Sequence, residues 1–250
     1  MEKYYSINAD GCSIRCKLYA ETMQPERVIL YGHGFCGHKD NMAAKHFAGR
    51  LLEKNRSAAL LCFDWPCHGD DVRKVLRLED CDRYLSLVIG DIRARFAPTR
   101  LDAYATSFGG YLFLKFISEH EDPFHRIALR CPAVCMGKVL STIMTEENFR
   151  QLERGKSAMV GFDRKIAVDR VFLESLREAD LLQRDFLPWA DDILILHGRQ
   201  DEIVPFAEVK QFAEDNVIDF IPVEGADHRF QHPKAMELAT KEILRFLELK

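Results

Sequence analysis

Apolar residues along this chain come in short runs closed off by polar, glycine- and proline-bearing stretches. "SINADGCSIRCKLY" alternates around Asp10-Gly11 and predicts a β-hairpin. Further strand-like runs follow at residues 27–34 (RVILYGHG), 57–66 (SAALLCFDWP), 100–107 (RLDAYATS), 126–133 (RIALRCPA), 191–198 (DDILILHG) and 219–225 (DFIPVEG). Between them the apolar spacing turns helical, over Asn41–Lys54, Asp80–Phe96, Phe108–His120, Pro205–Glu214 and Pro233–Leu249. In the last of these, Ala235, Leu238, Ala239, Ile243, Phe246 and Leu247 fall on one face.

Strands that alternate with helices predict an α/β fold, a mostly parallel central sheet covered on both faces. The near-continuous runs "VILY", "AALLCF" and "ILIL" suit strands buried on both sides, with the opening hairpin as an antiparallel edge. Only residues 136–188 break the rhythm. There "MGKVLSTIMTEENFRQLERG" reads as helical, "KSAMVGFDRKIAV" as a short hairpin and "DRVFLESLREADLL" as helical again. No linker composition sets this segment apart. The expectation is one α/β domain over 1–250 with a small cap inserted at about 136–188, over the carboxyl edge of the sheet.

Composition narrows the function classes. The formal net charge of −4 leaves no basic field for nucleic acid and no polybasic membrane patch. No apolar run reaches the ~18 residues of a membrane span, and the charged, alternating start lacks a signal-peptide core. Eight scattered cysteines read as free thiols in a reducing compartment, so a cytoplasmic location is expected. Cys131 and Cys135 have no matching Cys or His pair at zinc spacing, so no metal site is expected.

Ligands of open α/β sheets bind outside the carboxyl ends of the strands. The polar residues there are His33 with Gly32, Gly34 and Phe35, then Asp64 with His68, then Ser107, Asp201 and His228. Ser107 lies in "AYATSFGGYL", one residue away from the G-x-S-x-G of a nucleophile turn, with Ala105 in place of the first Gly. Positions two before and two after such a Ser must be small because the turn is tight. Read locally, Ser107 is equally a helix cap, Asp201 a capping Asp before Pro205, and His228 a loop histidine beside Asp227. Their order at three separate strand ends favours a nucleophile, an orienting acid and a base. The Gly-rich loop at 32–37 could supply a backbone N–H to an oxyanion from Phe35, with a second from Phe108. It lacks the G-x-G-x-x-G and Walker patterns of phosphate loops.

With "HGF", "FDWPCHGD", "ATSFGG", "HGRQDEIVP" and "GADHRF" in that order, the chain resembles the α/β-hydrolase fold superfamily over nearly its whole length. It looks most like small capped serine esterases of the serine-aminopeptidase and monoacylglycerol-lipase type, with a cap like that of feruloyl esterases. The resemblance implies a carboxylic ester hydrolase acting on a small-molecule ester through Ser107, Asp201 and His228, with no cofactor. A peptidase with Glu146-Glu147 holding a substrate ammonium, a thioesterase and a non-catalytic binding protein are the alternatives. Cys67 stands where relatives commonly carry Gly, which implies strain if its φ is positive. Substrate contacts are expected from His33, Gly34, Met144, Met159 and Phe162. Met136, Ile143 and Phe149 are further pocket candidates, and Lys156 and Arg164 are expected to meet a polar group.

Overall fold

The computed structural model describes residues Met1–Glu248. Leu249, which the periodicity assigns to the last helix, lies outside the described residues.

Strands β1 (Glu2–Ala9) and β2 (Cys12–Ala20) form the expected hairpin, turning at Asp10 and Gly11, both with positive φ. β2 also pairs antiparallel with β4 (Ala58–Phe63). The remaining strands, β3 (Arg27–Gly32), β5 (Arg100–Thr106), β6 (Ile127–Arg130), β9 (Ile193–Gly198) and β10 (Asp219–Val223), run parallel to β4 and to one another. The spatial order is β1-β2-β4-β3-β5-β6-β9-β10. Chain order reverses between β3, whose connection leads to β4 on one side, and β5 on its other side. Such a switch point opens a crevice at the carboxyl ends, and it sets the loop after β3 beside Ser107.

Helices cover both faces. α1 (Met42–Lys54) and α8 (Pro233–Glu248) bury Phe47, Leu51, Ile243 and Leu247 against one side of the sheet. On the other, α2 (Leu78–Phe96), α3 (Phe108–Glu119) and α7 (Phe206–Asp215) bury Val88, Ile92, Phe113 and Phe212. The mostly parallel sheet flanked by helices is the fold expected from the alternating pattern.

Between β6 and β9 lie α4 (Met136–Ile143), α5 (Glu146–Glu153), the antiparallel hairpin β7 (Ala158–Gly161) and β8 (Lys165–Val168), and α6 (Arg170–Glu178). The stretch read as one helix is therefore two. Thr145 breaks it by capping α5: its hydroxyl accepts from the Asn148 N–H while the Asn148 side chain accepts from the Thr145 N–H. β6 is shorter than its apolar run because Cys131 takes φ +47° and turns the chain away. All eight cysteines are free. No helix among the described residues is long and apolar enough to cross a membrane.

Candidate functional site

Ser107 follows β5 directly and opens α3 with φ 51° and ψ −118°, a backbone that a side-chain-bearing residue adopts only under constraint. The turn is anchored from both sides. Ser107 N–H donates to Arg130 O (3.1 Å), and Ser107 O accepts from the Ala133 (3.1 Å) and Tyr111 (3.1 Å) amides. Its side chain makes no cap bond with α3. Instead Ser107 Oγ lies 3.0 Å from His228 Nε2, and His228 Nδ1 lies 2.8 Å from Asp201 Oδ2. Three residues from the ends of β5, β9 and β10 thus form one hydrogen-bonded chain.

Asp201 makes contacts of two kinds. Oδ1 accepts from the Ile203 (2.9 Å) and Val204 (2.8 Å) amides, a local cap, which leaves Oδ2 to His228. His197 adds a second imidazole, with Nε2 3.2 Å from Asp201 Oδ2 and 3.0 Å from Val204 O, so that nitrogen carries the proton. Burial disfavours the carboxylate, but hydrogen bonds from His197 and His228 outweigh it and hold the Asp201 carboxyl far below its usual range. Asp227, the neighbour of His228 in sequence, turns away and caps Gln231 N–H at 2.9 Å.

The loop after β3 presses on the serine. A Cβ on Gly34 would come within 3.1 Å of Ser107 Cβ. Neither the Phe35 nor the Phe108 N–H has a protein acceptor among the described residues, so both are available to an added oxygen. Gly109 is required for a reason other than the one expected. A Cβ there would overlap the carbonyls of Gly32 and His33 at the end of β3, not the side chain of Ala105.

A cleft of about 1230 Å³ opens over Ser107 and His228. Phe35, Met136, Val139, Ile143, Phe162 and Ile203 line it toward the insertion. Met42, His46, Arg130, Phe230, Met236 and Glu237 line it toward the starts of α1 and α8. Of the residues expected to touch substrate, Gly34 and Phe162 lie on the cleft and three do not. His33 is sealed, donating from Nδ1 to Gly34 O (2.9 Å) and accepting Trp65 N–H at Nε2 (3.3 Å). Met144 is buried in the core and Met159 is half exposed on β7 away from the cleft. Phe149 and Lys156 are also outside it, whereas Arg164 lines it and donates to Gly69 O at 2.8 Å. Val139 and the whole α1–α8 side escaped the sequence reading. The available signal was Arg130, a charge at the end of an otherwise apolar strand.

The other strand-end residues hold the frame. Asp64 accepts from Lys39 N (2.7 Å), Lys39 Nζ (3.2 Å) and Asp70 N (3.0 Å), fastening the turn after β4. His68 stacks on Phe108 at 6.1 Å, and burial pushes both His33 and His68 down to about 3. Cys67 has φ +66°, so the strain implied by its replacement of Gly is present. Cys131 brings a thiol near Asp201 and His228, with ligand atoms within 4.8 Å of one another. Burial pushes that thiol well up, and the acid and imidazole are bonded to each other, so the trio is poorly disposed to hold a metal. A second trio, Asp82, Glu119 and His120, lies at the surface and is tied into ion pairs with Lys115 and Arg184.

Comparison with known proteins bears on the fold. A family model described as "Alpha/beta hydrolase family" matches residues 28–239. Est1E from Butyrivibrio proteoclasticus, solved with ferulic acid bound, shares 21% identity with a TM-score of 0.74, over 97% of this chain and 97% of that one. The esterase domain of a Rhodothermus marinus protein shares 20% with a TM-score of 0.70, over 98% and 97%. Alpha/beta hydrolase domain-containing protein 10 from mouse shares 14% with a TM-score of 0.74, over 98% of each chain. A search of curated proteins found no match.

Proposed function

This chain belongs to the alpha/beta hydrolase family, and from that membership we propose that it is a serine hydrolase cleaving carboxylic esters of small molecules through an acyl-enzyme. The observation that carries the reading is the hydrogen-bonded chain from Ser107 Oγ through His228 to Asp201, at 3.0 Å and 2.8 Å.

In this reading Ser107 Oγ attacks the ester carbonyl carbon while His228 Nε2 takes its proton. Asp201 holds the proton on Nδ1 and balances the imidazolium. The Phe35 and Phe108 N–H groups donate to the oxyanion, which collapses as His228 returns the proton to the departing alkoxide. Water, deprotonated by His228, then adds to the acyl carbon, and His228 returns that proton to Ser107 Oγ as it leaves, releasing the acid and restoring the enzyme. No metal or organic cofactor enters this sequence.

Ester is favoured over peptide because Glu146 and Glu147, the candidates for an ammonium site, are solvent-exposed, ion-paired to Arg150 and outside the cleft. The likeness to Est1E, solved with ferulic acid, also supports an acyl-ester substrate.

Labelling with a fluorophosphonate and hydrolysis of p-nitrophenyl esters against aminoacyl-naphthylamides tests the proposal. Wild type should be labelled and cleave the esters, and Ser107→Ala should lose both. Equal labelling of the Ala variant, or cleavage of only the naphthylamides, would overturn it.

A further inference from the structure

Five Lys or Arg residues are buried among the described residues: Lys17, Arg27, Lys39, Lys115 and Arg130. Four of them carry a carboxylate. Lys17 meets Asp40 at 3.1 Å, Arg27 meets Asp102 at 2.6 Å, Lys39 meets Asp64 at 3.2 Å and Lys115 meets Glu119 at 2.5 Å. Arg130, 5% exposed, has no ion pair among the described residues. Its Nη1 meets the thioether of Met236 at 3.0 Å, a weak acceptor, and its guanidinium lies 5.2 Å from the Phe230 ring centroid. Its Nε is buried with no acceptor among the described residues.

Burying a cation without an ion-paired carboxylate is unfavourable, and arginine cannot shed its proton to escape; Asp227 acts on Arg130 only at longer range, without an ion pair. The position makes the exception informative. Arg130 ends β6 next to the nucleophile, since its own carbonyl accepts the Ser107 N–H, and its side chain lines the α1–α8 side of the cleft. The carboxylates lining that side are already taken, Glu237 by Arg50 and His46 and Asp40 by Lys17 and Lys39.

We propose that the α1–α8 side of the cleft binds a carboxylate carried by the substrate, held by the Arg130 guanidinium. A carboxylate fits the flat, forked donor set of arginine. Lys234, at the start of α8, also lines this side, but it shares it with Asp40 and Glu237, and two carboxylates there suit a monoanion better than a phosphate dianion. The substrate class is then an ester with a free carboxylate a few bonds from the scissile carbonyl, such as the monoester of a dicarboxylic acid.

This inference rests on the ester hydrolase reading, and two measurements separate the failures. The first compares kcat/KM for mono-p-nitrophenyl glutarate and p-nitrophenyl butyrate. Wild type should favour the anionic ester at least tenfold, and Arg130→Gln should lower that ratio at least tenfold. A ratio equal in the two proteins overturns the proposal. The second uses Ser107→Ala, which needs no turnover: glutarate should bind in calorimetry and glutaramide should not. Equal binding of the two, or binding of neither at 10 mM, overturns the proposal even if Arg130→Gln does not fold. Loss of the ester hydrolase reading would appear separately, as wild type that no fluorophosphonate labels.

Discussion

Ala105 of β5 pairs in register with Gly32 of β3, and the Cβ that Gly32 lacks is what leaves room for the one Ala105 carries. A Cβ on Gly32 would stand 3.4 Å from Ala105 Cβ, 3.3 Å from the Trp65 ring and 3.2 Å from the Phe113 ring. The substitution of Ala for Gly ahead of Ser107 is thus absorbed by the neighbouring strand. Gly32→Ala should cost about 1–3 kcal/mol by overpacking, read from urea unfolding. Adding Ala105→Gly should recover only the smaller part, because Phe113 and Trp65 stay in place. A neutral Gly32→Ala would show that this side of the turn is loosely packed. Ala105→Gly alone should keep ester hydrolysis within about tenfold, ~1.4 kcal/mol of barrier, whereas Ala105→Val should abolish it.

Asp201→Asn should act through the tautomer of His228. The Ile203 and Val204 amides will hold the Asn carbonyl where Oδ1 now sits. The Asn NH₂ must then face His228 Nδ1, which is left to accept, and the imidazole proton moves to Nε2 opposite Ser107. Such a histidine cannot take the serine proton. The expected loss of kcat on p-nitrophenyl butyrate is about 10⁴-fold, with the fold retained by circular dichroism. Activity within tenfold of wild type would mean that Asp201 does not orient the base.

His33 and His68 should make stability fall on the acid side of neutrality. Burial pushes each down to about 3 from an ordinary 6.5. Below 6.5 the unfolded chain takes up protons that the folded one refuses until about 3. Stability present at neutral pH is therefore lost as pH falls through that window, by about 1.4 kcal/mol per pH unit for each histidine. Unfolding free energies measured from pH 6 to 4.5 should have a slope shallower by about that amount in His68→Phe. Parallel slopes would contradict the assignment.

Cys67→Gly should stabilise the protein. Cys67 sits at φ +66° in the turn after β4, where its Cβ is strained and its N–H is held by Asp71 Oδ1 at 2.8 Å. Gly keeps that bond and removes the strain, a gain of about 1 kcal/mol net of the added freedom of the unfolded chain. The midpoint of urea unfolding reports it, and an unchanged or lower midpoint would count against a strained turn.

Period and position carried much of this protein into its sequence. The two-residue and 3.6-residue repeats marked the sheet strands and five flanking helices, because a strand buried on both faces and a helix buried on one leave unmistakable apolar patterns. The polar cluster at the ends of β5, β9 and β10 was legible because parallel strands deliver their carboxyl ends to one edge. The insertion was less so. Its helices are short, and the break at Thr145 depends on one capping residue.

What the sequence determined by itself was the α/β alternation and the order Ser107, Asp201, His228 along it. Packing in three dimensions set which neighbours those residues meet. Met144 points into the core and Met159 stays on the outer hairpin although both are apolar residues of the insertion, because contact depends on how short helices pack. Gly109 is required by the carbonyls of Gly32 and His33, which lie more than seventy residues away in sequence. Arg130 is a cation at the end of an apolar strand in sequence. Only the packed structure leaves it beside Ser107 without an ion pair among the described residues, because salt bridges are settled by distance in space and not along the chain.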